Sequence, residues 1–143
     1  MARQNKTRDG AMHQKKSISV AVIPFVEADV LANSAAGSVF VVLPSRSMIQ
    51  RITSNITTAS GTSGATLDIT YNGSVVVNEL AADAANITDE TLTAANRYSA
   101  TGGELVVLAG STAPADGALV GELIVEYVEL DKNTGEYTKF LDS

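Results

Sequence analysis

Apolar and polar residues alternate over most of the chain after Ser17, with the two-residue period of a half-buried β-strand. The alternation is clearest at Thr66–Tyr71, where Leu67, Ile69 and Tyr71 form the predicted inward face. Asn72 and Gly73 follow at once, and the apolar run resumes at residues 74–77. Asn-Gly between two such runs predicts a hairpin with a type I′ turn, because this turn requires positive φ at both positions.

The first strand is predicted at residues 17–26, with its apolar side chains divided between two faces. Ile18, Val20 and Val22 share one face, and Ala21 and Ile23 share the other. Pro24 has no N–H to donate to a ladder, so this strand is expected to lie at a sheet edge or to bend there.

The remaining patterns predict further short strands separated by turn residues. The predicted strands are 38–43, 48–58, 66–71, 74–77, 97–100, 104–108, 119–130 and 136–141. The continuous apolar run at 38–43 is typical of a strand buried on both faces. Residues 79–95 combine helical spacing of apolar side chains with Asn and Thr, which indicates a short helical turn or a long loop.

Eight or nine short strands at fairly regular spacing favour an all-β fold. The natural eight-strand version is a jelly-roll-like β-sandwich, and an immunoglobulin-like sandwich or a small barrel are the alternatives. A chain of 143 residues is expected to form one domain. We place that β-sandwich domain at residues 17–143.

Residues 1–16 differ from the rest of the chain in charge and in apolar content. They carry a net charge of +4, and the remaining 127 residues carry −10. The segment has no apolar periodicity and cannot bury enough surface to fold alone, so we predict a flexible, basic N-terminal arm. Its candidate partner-binding residues are Arg3, Lys6, Arg8, Lys15 and Lys16.

The arm has three interpretations. It is a solvated tail without a partner, a nucleic-acid contact, or a segment that lies across an acidic protein surface. Five cations beside a body of −10 make a poor general DNA binder, so direct nucleic-acid binding is not expected.

Residues that carry catalytic or metal chemistry are sparse. The chain has no Cys, and its one His, His13, lies in the predicted arm. Asp131 and the following acceptors depart from calcium-loop spacing and fit a hairpin loop better. Glu122 and Glu126 would lie about 13 Å apart on one strand face, too far for a glycosidase pair. We therefore predict no enzyme activity and no catalytic, cofactor or metal site.

Neither a membrane span nor a secretory signal is apparent in the sequence. No stretch approaches the roughly 20 apolar residues that a membrane helix needs. The residues after Lys15 and Lys16 form a strand-like run rather than the apolar core of a signal peptide. The sequence is therefore expected to belong to a protein that is made without export and does not bind a membrane.

The overall composition of the chain and the order of its segments are also informative. A short basic arm precedes a Thr/Ala/Val/Gly-rich body that contains TGGELVVLAGSTAPADGALVGELIVEYVELDKNTGEYTKF. Over about residues 17–141 this resembles the cement, or decoration, proteins on the heads of tailed bacteriophages. The resemblance implies a jelly-roll or related fold, homo-oligomers (dimer or trimer) and no catalytic residues.

The resemblance also implies a partner and a location. The partner would be the phage major capsid protein, clamped across coat-subunit boundaries. The location would be the outer capsid surface of the virion, after synthesis in the host cytoplasm. In this interpretation an exposed apolar strand face provides self-association.

Two other functions remain open at this point. Jelly rolls also serve as lectins, so a carbohydrate- or receptor-binding module is one alternative. It would need exposed aromatic rings, and most of Tyr71, Tyr98, Tyr127, Tyr137 and the Phe residues fall on predicted core faces. A neck or tail component of the same virion is the other alternative.

Overall fold

The computed structural model describes residues 18–36 and 41–130, and this part of the chain is nearly all β. Besides its strands, it contains one α-helix and one short 3₁₀ helix at Ala94–Asn96. The strands are β1 (Ile18–Val26), β2 (Val41–Leu43), β3 (Ser47–Thr58), β4 (Thr66–Tyr71), β5 (Ser74–Ala81), β6 (Asn86–Asp89), β7 (Tyr98–Ser99), β8 (Gly103–Ala109) and β9 (Val120–Glu129). The helix α1 (Glu27–Ala36) lies between β1 and β2.

These strands form two antiparallel sheets. One has the order β1-β9-β3-β6, with β7 paired to one end of β3, and the other has the order β2-β8-β4-β5. With the two-residue β7 set aside, successive strands change sheet at every connection except the β4–β5 hairpin, which is the chain order of a jelly roll. The predicted jelly-roll-like β-sandwich is therefore confirmed. The predicted arm, residues 1–16, and the predicted strand at 136–141 lie outside the described residues.

Side chains from the inner faces of both sheets form one apolar core. Tyr71 and Phe25 are among its largest members, and Ile, Leu and Val fill most of the remainder, as expected for a chain without Trp. The Tyr71 hydroxyl donates to the carbonyl of Ser47 on the opposite sheet at 2.9 Å. This bond gives a buried polar group its partner and links the two layers at a defined position.

The β4–β5 hairpin has the geometry that its sequence predicts. Leu67, Ile69 and Tyr71 are buried, and Tyr71 pairs directly with Ser74 across the turn. Asn72 and Gly73 have φ values of 51° and 85°, so both occupy the left-handed region that a type I′ turn requires.

The alternation on β3 contains one break, which the pairing with β9 explains. Ile49 is buried, and so are Ile52 and Ile56. The register shifts between Ile49 and Arg51, where an additional residue forms a bulge. Because of this additional residue, the side chains of Ile52 and Ile56 point into the core, as that of Ile49 does.

Two sequence predictions were wrong. Of the strand predicted at 38–43 as buried on both faces, the described part is Val41–Leu43, which pairs with β8 at the edge of its sheet; Leu43 is buried, and Val42 points to the outer face and is 64% exposed. The helical turn or loop predicted at 79–95 instead continues β5 to Ala81 and adds β6, with only a 3₁₀ turn at Ala94–Asn96. β6 forms because it pairs with β3, where the Thr53 hydroxyl also donates to Asp89 at 2.6 Å.

Helix α1 was not predicted. Its sequence signal is a pair of acidic residues, Glu27 and Asp29, in the first turn of a segment rich in helix-forming Ala and Leu. The Asp29 carboxylate accepts the N–H of Val26 at 3.1 Å, as the third helical residue does in a capping box. The helix buries Val30 in the core and carries the chain from the edge strand of one sheet to that of the other.

One buried acid, Glu27, and one exposed acid, Asp116, hold the loop before β9 in place. Glu27 is only 5% exposed, and its Oε2 accepts the N–H of Gly117 at 2.7 Å. Asp116 accepts hydrogen bonds from the Gly61 N–H and from the Ser60 hydroxyl. These bonds, with that of Gly61 first, lower the pKa of Asp116 below its ordinary value of 3.8.

A second acidic anchor lies on β5. Glu79 has a φ of 59°, and its N–H donates to the Asp68 carboxylate at 2.8 Å. The Glu79 carboxylate accepts hydrogen bonds from the hydroxyl and N–H of Ser111, and from the Thr66 hydroxyl. The bonds from Ser111 are the main cause of the lowered pKa of Glu79.

The type I′ turn generates a stability prediction. Gly73→Val should destabilise the fold by about 1–2 kcal/mol, because a β-branched residue would have to occupy the left-handed region. A side chain there meets nothing within 4 Å, so the cost is that of the backbone alone. Thermal or denaturant unfolding measures the loss, and Ser74→Val, one residue on in an ordinary strand position, is the matched control. Equal stability of both variants would mean that the turn is not type I′.

The anchor at Asp116 generates a pH prediction. Because folding lowers its pKa, ionised Asp116 stabilises the folded state above the unfolded pKa, and this stabilisation is lost as pH falls through the lower folded value. Asp116→Asn should therefore lower the melting temperature at neutral pH and reduce its decline between about pH 5 and pH 2. Glu104→Gln, at an exposed position on β8, is the control. A variant with the wild-type acid profile would contradict this role.

Candidate partner-binding surface

The five predicted site residues, Arg3, Lys6, Arg8, Lys15 and Lys16, lie outside the described residues. The described chain begins two positions after Lys16, at Ile18, which is the first residue of β1. β1 is therefore the described element that follows the predicted arm in the sequence, and its outer side is the surface considered first.

The outer side of β1 is an apolar column at the edge of its sheet. Ile18, Val20 and Val22 are 56%, 58% and 57% exposed, and Pro24 and Val26 continue the column. The alternate residues Ile23 and Phe25 are buried in the core. The two-face division predicted from the sequence is thus confirmed, and the structure shows which face is outward. The edge position predicted from Pro24 is also confirmed.

Beyond the apolar column, the same outer face becomes polar and hydrogen-bonded. Arg51 on β3 contacts Glu126 on β9 at 2.7 Å and Asp89 on β6 at 3.8 Å. The hydrogen bond to Glu126 is the main cause of the raised pKa of Arg51, so its charge persists at any ordinary pH. Asn55 donates to Glu122 at 3.3 Å. Glu122 and Glu126 are therefore members of a surface hydrogen-bond network.

The backbone of β1 also has a side without a strand neighbour among the described residues. Val26 donates its N–H to Asp29 rather than to β9, and Pro24 has no N–H. Glu27 donates to the carbonyl of Leu119, which continues the β1–β9 ladder by one pair. In an antiparallel ladder, residues of the same parity point their N–H and C=O groups the same way. The N–H and C=O groups of Ile18, Val20 and Val22 therefore point away from β9.

A second surface feature is an open depression beside the β4–β5 hairpin turn. Its lining includes Asn72, Asn96, Tyr98, Ser99 and Thr101. Tyr98 is 41% exposed and presents an aromatic ring there. The amide of Asn96 already donates to Val75 at 2.6 Å, and that of Asn72 to Ser99 at 3.2 Å. Most of its polar groups therefore bond within the protein, and the site offers a sugar only one stacking ring.

The described residues were also compared with the metal-site and membrane-span patterns considered from the sequence. The described residues contain no group of three or more His, Asp or Glu side chains placed to hold a metal ion. The calcium-loop candidate at Asp131 and the lone His13 lie outside them. Gly64, Gly102 and Gly103 have positive φ at turns and strand starts. No helix within 18–36 or 41–130 has the length and hydropathy needed to span a bilayer.

Comparisons with known proteins bear on the fold. No protein-family model matches the sequence, and no curated protein matches it. Among solved structures, the chain is similar to one described as "Capsid of Ralstonia phage GP4", with a TM-score of 0.56 and 18% sequence identity. The alignment covers 85% of this chain and 89% of that chain. The two chains therefore share a β-sandwich fold over most of their length, and they are of similar size.

Proposed function

We propose that this chain is a structural virion protein of a tailed bacteriophage, and specifically a cement protein on the outer capsid surface. It would bind the major capsid protein and stabilise the assembled head across coat-subunit boundaries. The observation that carries the proposal is the likeness in fold to a phage capsid chain of similar size. The role requires no catalysis, in agreement with the expectation that the chain is not an enzyme.

The body supports this role through its rigid, two-layer construction. Acidic side chains fasten its loops to the strands, as Glu27 does at Gly117 and Asp116 does at Gly61. A body with fixed loops loses little conformational entropy when it binds, so more of each contact contributes to affinity.

The charge distribution supports a division of labour between the arm and the body. The arm carries +4 and the remaining residues −10, so an acidic partner surface would attract the arm and repel the body. Sixteen residues span at most about 55 Å when extended, enough to cross from one coat subunit to the next. Each exposed ion pair would contribute only about 0–1 kcal/mol.

The stabilisation would therefore come from linkage. Once one contact of the arm or body forms, the others occur at high effective concentration on the same particle. Apolar contacts of the body, for which the β1 column is available, would add the part that salt does not screen.

The neck or tail alternative differs from this proposal in copy number. A cement protein covers the head, so its amount should scale with that of the coat protein, whereas a neck component occurs in a small fixed number at one site. Quantitative mass spectrometry of purified particles containing this chain measures that ratio. A copy number far below that of the coat protein would overturn the cement assignment and leave a structural virion role.

The role of the arm is tested by removing its charge. Replacing Arg3, Lys6, Arg8, Lys15 and Lys16 with Gln should lower occupancy on purified capsids, because their pairing with acidic coat residues is lost. Wild-type occupancy should also fall as salt rises, since exposed pairs are screened beyond about 8 Å at physiological ionic strength. Sedimentation of protein with capsids measures occupancy at several salt concentrations.

The matched control keeps the charge and changes the side chains. Replacing Lys6, Lys15 and Lys16 with Arg should leave both occupancy and its salt dependence close to wild type. If the Gln variant also binds like wild type at low and high salt, the arm takes no part in binding.

A further inference from the structure

Within the described residues, the outer edge of β1 is unprotected over residues 18–22. Free strand edges are normally protected by charged side chains, by Pro, by bulges or by covering segments, and Pro24 protects only the far end of this strand. β1 has the sequence ISVAVIPFV, without a charged residue, and its pairing with β9 is regular over all nine positions. The acids opposite Val20 and Pro24 on β9, Glu126 and Glu122, are bound to Arg51 and Asn55 of β3.

The same edge offers both backbone hydrogen bonds and apolar side chains to an incoming strand. The N–H and C=O groups of Ile18, Val20 and Val22 point outward in the plane of the sheet, as the bonds of Val26 and Glu27 show. Their side chains are β-branched and more than half exposed. An added strand would gain hydrogen bonds from the backbone and contacts from these side chains.

We propose that this edge binds the same edge of a second copy, giving a dimer with an antiparallel β1–β1 pair and a continuous sheet. The two-fold axis would pass at Val20, so that Val20 pairs with Val20 of the second copy and Ile18 pairs with Val22. A cement protein is expected to self-associate, and this dimer would specify how. The inference of the dimer itself rests only on the geometry of β1.

Self-pairing fits this strand because the set Ile18, Val20, Val22 matches itself when reversed. Reversal places β-branched apolar residues opposite each other at every position and opposes no charges. All three N–H and three C=O groups of each copy then find partners. An isologous contact also uses the same edge of both copies, so it covers both edges at once and stops at a dimer.

Pro24 limits the register. Continuing the pairing by two residues would place Pro24 in a ladder position where it has no N–H to donate. An axis shifted towards Pro24 would therefore lose hydrogen bonds. The paired block covers residues 18–22, and its two-fold axis lies at Val20.

Cysteine cross-linking of the full-length chain tests both the dimer and its register, because the natural sequence has no Cys. Directly opposed residues have Cα atoms about 5.5 Å apart, within disulfide range. Under mild oxidation Val20→Cys should form a disulfide-linked dimer. Ile18→Cys alone and Val22→Cys alone should not, because in each homodimer the sulfurs lie about four residues apart, roughly 13 Å. A mixture of these two proteins should cross-link.

A charge exchange supplies a second, independent test that does not depend on disulfides. Val20→Lys should weaken the dimer by at least about tenfold, measured by analytical ultracentrifugation, because like charges meet at the axis. Val20→Glu should do the same, and an equimolar mixture of the two should restore a heterodimer. Val42→Lys, at an exposed position on the edge strand of the other sheet, is the control and should leave the dimer intact.

Several outcomes would overturn the inference. These are a wild-type monomer at high concentration, cross-linking of Val42→Cys as efficient as that of Val20→Cys, or a Lys–Glu mixture that stays monomeric. A monomer whose Ile18, Val20 and Val22 amides are protected from hydrogen exchange would show that another segment of the same chain occupies the edge, since the amides of Ser19 and Ala21 already point towards β9. All of these measurements are made without capsids, so their failure leaves the cement assignment standing, and loss of capsid binding leaves the dimer standing.

Discussion

The insertion of β9 between β1 and β3 is the interaction on which the rest of this structure depends. β9 is the last strand of the described chain and β1 is the first. β9 pairs with β1 on one side and with β3 on the other over most of its length. Side chains alternate with a period of two, so a slip of one residue in either pairing would exchange the inner and outer faces of a strand. The register that buries Ile23 and Phe25 is therefore the same register that places Ile18, Val20 and Val22 outside.

The cost of such a long-range pairing is conformational entropy, since loops must close before these contacts can form. Polar side chains help to hold those loops once the sheets have formed. Glu27 joins the start of the helix to the segment before β9, and Asp116 joins that segment to the turn after β3. The acidic residues that would first attract interest as chemical groups thus serve mainly as structural acceptors of backbone N–H groups.

The outer surface combines two kinds of face, and the proposed functions use them differently. On β9, β3 and β6 the polar residues bind one another, as Arg51 does with Glu126 and Asp89, so they are poor candidates for a new partner. On β1 the exposed residues are apolar and the backbone edge lacks a strand neighbour within the described range. In the proposed function, apolar burial at such a surface would give affinity, and the basic residues among the first 16 positions would give attraction over distance.

Much of the architecture could be predicted from the sequence because it depends on neighbouring residues. The strand period, the Asn72-Gly73 turn and the edge position of a strand containing Pro24 are local properties of the backbone and side chains. The charge contrast between arm and body is likewise a property of composition. The sequence by itself therefore determined an all-β body, a basic first segment and the two faces of strands such as β1 and β4.

The tertiary structure decided what depended on partners distant in the chain. Val42 lies in an apolar run typical of a buried strand, yet it is exposed because its side chain points to the outer face of its sheet, away from the core that buries Leu43. Residues 86–89 became a strand because the edge of β3 was available to them. Which apolar column of β1 faces the core was decided in the same way, by its register with residues about a hundred positions later. A strand pattern specifies that two faces differ, but only the neighbouring strand and the opposing sheet determine which of the two is covered.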